Sequence, residues 1–146
     1  MYAIQKTASA VATALVLSAA GTALAAGTAP LPQEKIQGSV HYLTGGVGTG
    51  EAQAIEKAIP RYPLSLEFLG KSKAKDEYLA DVPVTIKDHK GHVVLKAVST
   101  GPYMLVKLQP GKYRIAAVQH GKTENRSVEV TAKGSKRVMF EWKTAA

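Results

Sequence analysis

The 146-residue chain has no cysteine. Disulfides, thiolate metal sites and a cysteine nucleophile are therefore excluded, and any core must be held by packing alone. Aromatic residues are also scarce, with two phenylalanines and one tryptophan. That is a poor basis for a platform on which nucleic-acid bases stack, so no nucleic-acid partner is expected. Beyond residue 25 no run is long and apolar enough for a membrane-spanning helix, which needs about 20 residues.

Residues 1–25 have the layout of a secretory signal peptide. Lys6 lies in a short n-region, an apolar stretch follows from Ala8 to Ala20, and Ala23-Leu24-Ala25 is a small-x-small cleavage site. Cleavage before Ala26 leaves 121 of the 146 residues, enough for one domain with a modest core. With no cysteine after the cleavage site there is no lipid attachment point, so the expectation is a soluble periplasmic or secreted protein. The full chain carries +8, of which Lys6 contributes one, leaving +7 on the mature part. A basic envelope protein meets anionic headgroups, acidic glycans or acidic partners, although charge spread over many segments also serves solubility.

Residues 26–61 read as a leader, a glycine-rich loop and a short helix. Ala-Gly-Thr-Ala-Pro-Leu-Pro-Gln-Glu-Lys (residues 26–35) has little to bury. Ile36, Val40, Tyr42 and Leu43 suggest a short strand, followed by Thr44-Gly45-Gly46-Val47-Gly48-Thr49-Gly50. The helix is expected over residues 51–59, capped by Thr49 and stopped by Pro60, with Ala52, Ile55 and Ile59 on one face.

From Tyr62 the apolar period changes to two. Strands are expected around Leu64, Leu66 and Phe68; Val82, Val84 and Ile86; Val93 to Val98; Tyr103 to Leu108; Tyr113, Ile115 and Ala117; Val128 and Val130; and Val138, Phe140 and Trp142. Residues 71–77 read as a charged, solvated loop, and Pro83 marks an edge strand or a strand start. Glycine turns every 8 to 12 residues point to a sandwich or barrel. Alternation places Leu66, Phe68, Val84, Ile86, Leu105, Tyr113, Ile115, Val128, Val130, Val138 and Phe140 in the core. Gln109-Pro110-Gly111 reads as a type II hairpin turn, with proline presetting φ and Gly111 at positive φ.

Two motifs resemble the carboxypeptidase regulatory-like domain, a transthyretin-like sandwich. One is Val82-Pro83-Val84-Thr85-Ile86-Lys87-Asp88-His89-Lys90-Gly91; the other runs from Gly101 and Tyr103 through Leu108, Pro110, Gly111 and Tyr113 to Ile115. The resemblance spans roughly residues 78–142 and departs at Ser99-Thr100-Gly101, which is shorter than the family's turn. It implies a mostly β, antiparallel Greek-key sandwich of about seven strands over residues 62–143. It also implies a non-catalytic module that recognises a partner, a protein or an envelope glycan, through loops or a strand edge. The hydrolase branch of the transthyretin-like fold ends in Tyr-Arg-Gly-Ser, whereas this chain ends Glu141-Trp142-Lys143-Thr144-Ala145-Ala146.

No residue is assigned to catalysis, a cofactor or a metal. The glycine loop invites a phosphate, but Glu51-Ala52 stands where a P-loop has Lys and Ser/Thr, and Glu51 replaces the third glycine of a dinucleotide loop. His89-Lys90-Gly91-His92 has the spacing of a metal pair without two further ligands. Asp76, Glu77 and Asp81 lie in a charged loop, and no serine has an activating context. Asn125-Arg126-Ser127 is a glycosylation sequon that a bacterial-looking signal makes coincidental. Two features discriminate the remaining classes. Convergence of His41, His89, His92, His120, Asp76 and Asp81 in one pocket would favour an enzyme. A contiguous Lys/Arg face would favour adhesion to an anionic envelope polymer.

Overall fold

The computed structural model describes residues 29–144; the signal segment lies outside them. Among the described residues ten strands form two sheets, with one short helix. The larger sheet contains β1 (Lys35–Gln37), β2 (Val40–Gly45), β3 (Leu64–Lys71), β4 (Asp76–Tyr78), β7 (Tyr103–Lys107) and β10 (Lys136–Lys143). The smaller contains β5 (Val82–Asp88), β6 (Val93–Ser99), β8 (Gly111–Gln119) and β9 (Lys122–Val130), in the order β6-β5-β8-β9. Three strands exceed the seven expected over residues 62–143. Two, β1 and β2, come from the stretch before the helix, broken at Gly38-Ser39, and the third is β4, where the charged loop after Lys71 returns to pair with the end of β3. Nor is the fold wholly antiparallel: β10 runs parallel to β3, with Phe140 opposite Phe68.

Residues 35–61, read from the sequence as lying outside the sandwich, are part of it. β2 pairs with β7 from His41 opposite Lys107 to Gly45 opposite Tyr103. Helix α1 (Thr49–Ala58), extended by a 3-10 turn over Ile59–Arg61, covers the outer face of that sheet. Ile55, Ala58 and Ile59 pack there with Leu43, Tyr62, Tyr103 and Leu105, and Ala52 lies against them. This second layer explains why β7 buries Tyr103, Met104, Leu105 and Val106 in succession. A strand covered on both faces reads as a continuous apolar run rather than an alternating one.

Between the sheets lies the main core, built from Leu64, Leu66, Phe68, Val84, Ile86, Leu95, Met104, Val106, Ile115, Val130, Phe140 and Trp142 among others. Eight of the eleven expected core residues are buried, while Tyr113, Val128 and Val138 are half-buried at its margin. The expected helix-face residues are on the expected face. Thr49, however, is the first residue of the helix; Gly48 precedes it and no side chain caps the end.

The Gln109-Pro110-Gly111 segment is not a hairpin turn. β7 is held in the larger sheet by β2 and β3 on its two sides, so the chain must cross to the smaller sheet to begin β8. Gly111 does have a positive φ, 159°, which side chains rarely adopt, although a Cβ there would meet only the Tyr113 ring, at 3.6 Å. The crossing is fastened by the Tyr113 hydroxyl, which donates to the Gln109 carbonyl at 2.7 Å. Pro83 sits ahead of the first β8 pair, Val84 with Ala117, at the start of a strand that is central further along.

Candidate functional site

The β5–β6 hairpin turns at Asp88-His89-Lys90-Gly91. The Asp88 carboxylate accepts from the backbone N–H groups of Lys90 and His92, both at 2.9 Å, and the Gly91 N–H donates to the Asp88 carbonyl at 3.0 Å. An aspartate that hydrogen-bonds its own turn backbone is the local reason the chain reverses here. The His92 N–H, and then that of Lys90, hold the Asp88 carboxyl below its ordinary value against partial desolvation.

From this turn, register carries β5, β8 and β9 side by side. Lys87 lies opposite Arg114, and Arg114 opposite Ser127. Thr85 lies opposite both Lys96 and Ala116, and Lys112 opposite Glu129. Residues directly opposite share a face, and those two apart on a strand share it too. Lys87, Lys96, Lys112 and Arg114 therefore project from one exposed face, whose other side carries Val84, Ile86 and Ile115 into the core. Glu129 is the acid placed opposite one of them, and none of the four cations makes an ion pair among the described residues. Where this face meets the hairpin turn there is a concavity of about 500 Å³ lined by Lys87, His89, Lys112, Arg114, Ser127 and Glu129, among others.

The titratable residues singled out from the sequence are dispersed. His89 and His92 share the β5–β6 turn, with His92 Nδ1 3.5 Å from Asp88. Asp81 precedes the opposite end of β5, and His120 is in the β8–β9 turn. Asp76 is in β4, paired with Lys71 at 3.2 Å. No group of three or more His, Asp or Glu among the described residues is placed to hold a metal ion. His41 is in β2, and its Nδ1 is 2.8 Å from Glu34 Oε1. No hydroxyl nucleophile bonds to His41 among the described residues, so the pair lacks the third member of a triad. The glycine loop is filled by its own chain, since the Gly46 N–H donates to Glu51 Oε1 at 2.8 Å. A phosphate would compete for that N–H with a carboxylate.

Glu34 was missed from the sequence because the leader around it gives no periodic signal. Its carboxylate accepts from the Tyr62 hydroxyl at 2.6 Å, and Lys107 Nζ is 3.2 Å away and 5.1 Å from the Tyr62 ring centroid. The Tyr62 hydrogen bond, then those of His41 and Lys107, hold the Glu34 carboxyl down to about 2 against desolvation. Burial first, then Glu34, pushes the Tyr62 hydroxyl up to about 12. A carboxyl whose folded value lies below its unfolded value stabilises the fold above the unfolded value and loses that contribution as pH falls through the folded one. Glu34→Gln should therefore melt below the wild type near neutral pH, and the gap should close between about pH 4.5 and about pH 2. Thermal melts across that range check it; a gap independent of pH would mean that the network works through packing alone.

Among the described residues, no helix is long and apolar enough to cross a membrane. No protein-family model matches the chain, and no curated protein matches it. Among solved structures, the crystal structure of S.CueP is similar over 51% of this chain and 59% of that one, at 12% identity and a TM-score of 0.38. A likeness at that level carries no argument about function.

Proposed function

We propose that this chain is an exported, non-catalytic β-sandwich of the regulatory-like kind that binds an anionic envelope polymer through the outer face of its smaller sheet. The observation that carries the reading is Lys87 directly opposite Arg114, flanked by Lys96 and Lys112, with none of the four neutralised by an ion pair among the described residues. Like charges directly opposite on a sheet are destabilising, and a face designed only for solubility would intersperse the signs. Polymeric acid supplies the missing counter-charge at several points together. The face offers Thr85, Ala116, Asn125 and Ser127 between the cations and no aromatic ring, which suits phosphate or carboxylate groups on a chain better than stacked bases. Recognition by a strand edge is less favoured at β6. The Gln37 side chain donates to the Lys96 carbonyl at 2.9 Å and accepts from its N–H at 2.7 Å, which blocks that edge at its centre.

The double variant Lys87→Thr/Arg114→Thr separates binding from stability. It should elute from a sulfated-polysaccharide column at lower salt than the wild type, because exposed charges act within a Debye length. It should also be more stable by about 0.2–1 kcal/mol, since a repulsive cross-strand pair is gone. Lys73→Thr/Lys75→Thr, in the β3–β4 loop, removes the same charge elsewhere and should elute near the wild type. Equal elution of the two double variants would reduce the proposal to net charge and overturn it.

A further inference from the structure

On the opposite side of the molecule, the first turns of α1 and the aromatic residues of β4 and β7 enclose a second concavity. It measures about 360 Å³ and is lined by Gly46, Gly48, Thr49, Ala52, Gln53, Glu56, Tyr78 and Tyr103. Tyr78 is 66% exposed, and its ring stacks on that of Tyr103 with centroids 6.5 Å apart and planes 30° apart. Tyr103 is buried, and its hydroxyl donates to Glu56 Oε1 at 2.9 Å. That bond uses one oxygen of an exposed carboxylate; the other has no protein partner among the described residues. Among the described residues the lining contains this one carboxylate and no lysine, arginine or histidine, in a chain whose net charge is +8.

We infer that this groove binds a small organic ammonium ion, held by the Tyr78 ring and the Glu56 carboxylate. Aromatic faces attract a cation through the ring quadrupole, and a carboxylate beside them adds a direct ion pair. Tyr103 acts as a positioning residue: it supports the Tyr78 ring from beneath and fixes Glu56 through its hydroxyl. Glu67, opposite Tyr103 in the β3–β7 pairing, adds to the acidic character beyond that ring. Burial lifts the Glu67 carboxyl above its ordinary value, Arg137 opposes the shift, and Glu56 adds to it. The volume accommodates a trimethylammonium or aminomethyl group with several attached carbons, and the open side leaves the remainder of such a molecule in solvent. The inference is independent of the basic face, since no residue is common to the two.

Choline and its uncharged isostere 3,3-dimethylbutan-1-ol test it, with NMR titration of the intact mature protein as readout. Choline should shift the resonances of Gly46, Gln53 and Tyr78, and the isostere should bind about tenfold more weakly or worse, the order expected of a cation–π contact with an adjacent carboxylate. Glu56→Gln still accepts the Tyr103 hydrogen bond but removes the charge, and should weaken choline binding by about tenfold or more. Tyr78→Ala should abolish binding, and because Tyr78 is largely exposed its melting temperature should stay close to the wild type. Tyr78→Phe should retain binding. Equal binding of choline and the isostere, or undiminished binding by Glu56→Gln, would overturn the inference. So would binding of a neutral oligosaccharide such as maltotriose that is lost in Tyr78→Ala, which would make the ring a sugar platform.

Discussion

Phe68→Ala should lower the stability of the domain by about 3–5 kcal/mol, the cost of emptying a large aromatic site that cannot collapse. Phe68 is fully buried in β3 and is opposite Phe140 in the parallel β3–β10 pairing. Its ring centroid is 5.6 Å from that of Phe140 and 6.4 Å from that of Trp142. These are both of the chain's phenylalanines and its one tryptophan, gathered at a single point between the sheets. Trp142 Nε1 donates to the Lys122 carbonyl at 3.0 Å, and Arg126 lies over the Phe140 ring at 5.4 Å, so the cluster also ties β9 to β10. Removing the ring forfeits dispersion with both neighbours as well as its own transfer from water. No disulfide is present to hold the sheets while the cavity forms. Ile36→Ala, at a position 65% exposed, is the matched control and should be nearly neutral. Urea titrations of the two variants check the contrast, and a loss below about 1 kcal/mol for Phe68→Ala would mean that the site repacks.

The parts of this fold that were legible from sequence are those governed by local chemistry. Asp88 and Gly91 announce their turn because the carboxylate and the glycine act within four residues. Val84 and Ile86 alternate because β5 has one core face and one wet face. β7 was legible as a strand, but its partners were not. Tyr103-Met104-Leu105-Val106 is buried on both sides, and such a run carries no information about which sheet it joins. The presumed hairpin failed for that reason: the proline and glycine mark a break in the chain, whereas β2 and β3 decide where the break leads. β9 was seen only at its end, since Lys-Thr-Glu-Asn-Arg-Ser offers no apolar period. The basic face was illegible for a similar reason. Lys87, Lys96, Lys112 and Arg114 are dispersed over 28 positions of sequence and meet only through register. The groove likewise joins α1, β4 and β7, and the sequence placed the helix on no particular sheet and read most of β4 as a solvated loop.

Gly101→Ala should be at least as damaging as many core truncations, at about 3 kcal/mol or more, the upper end of the cost of overpacking. Gly101 lies in the three-residue link from β6 in the smaller sheet to β7 in the larger. A Cβ on Gly101 would overlap the carbonyl of Gly45 and lie 3.0 Å from its Cα. The obstacle is backbone, and that backbone is fixed because Gly45 pairs with Tyr103 in the β2–β7 ladder. The link has little freedom to retreat. Ser99 Oγ donates to the carbonyls of Gly101 at 2.7 Å and Tyr103 at 3.2 Å, and the Thr44 and Thr100 hydroxyls are 2.9 Å apart across the same junction. Relief therefore requires β2 to move away from β7 or the link to break its side-chain bonds, and either change reaches the Tyr103 ring beneath Tyr78. Gly111→Ala is the informative comparison, because its positive φ of 159° costs a side chain about 1–2 kcal/mol while the Cβ itself would make only ordinary contact with Tyr113. Chemical denaturation should place Gly101→Ala below Gly111→Ala by about 1 kcal/mol or more. Equal stabilities would mean that β2 is not pressed against the Ser99–Gly101 link, and the seating of the leader strands on the sheet would have to be redrawn.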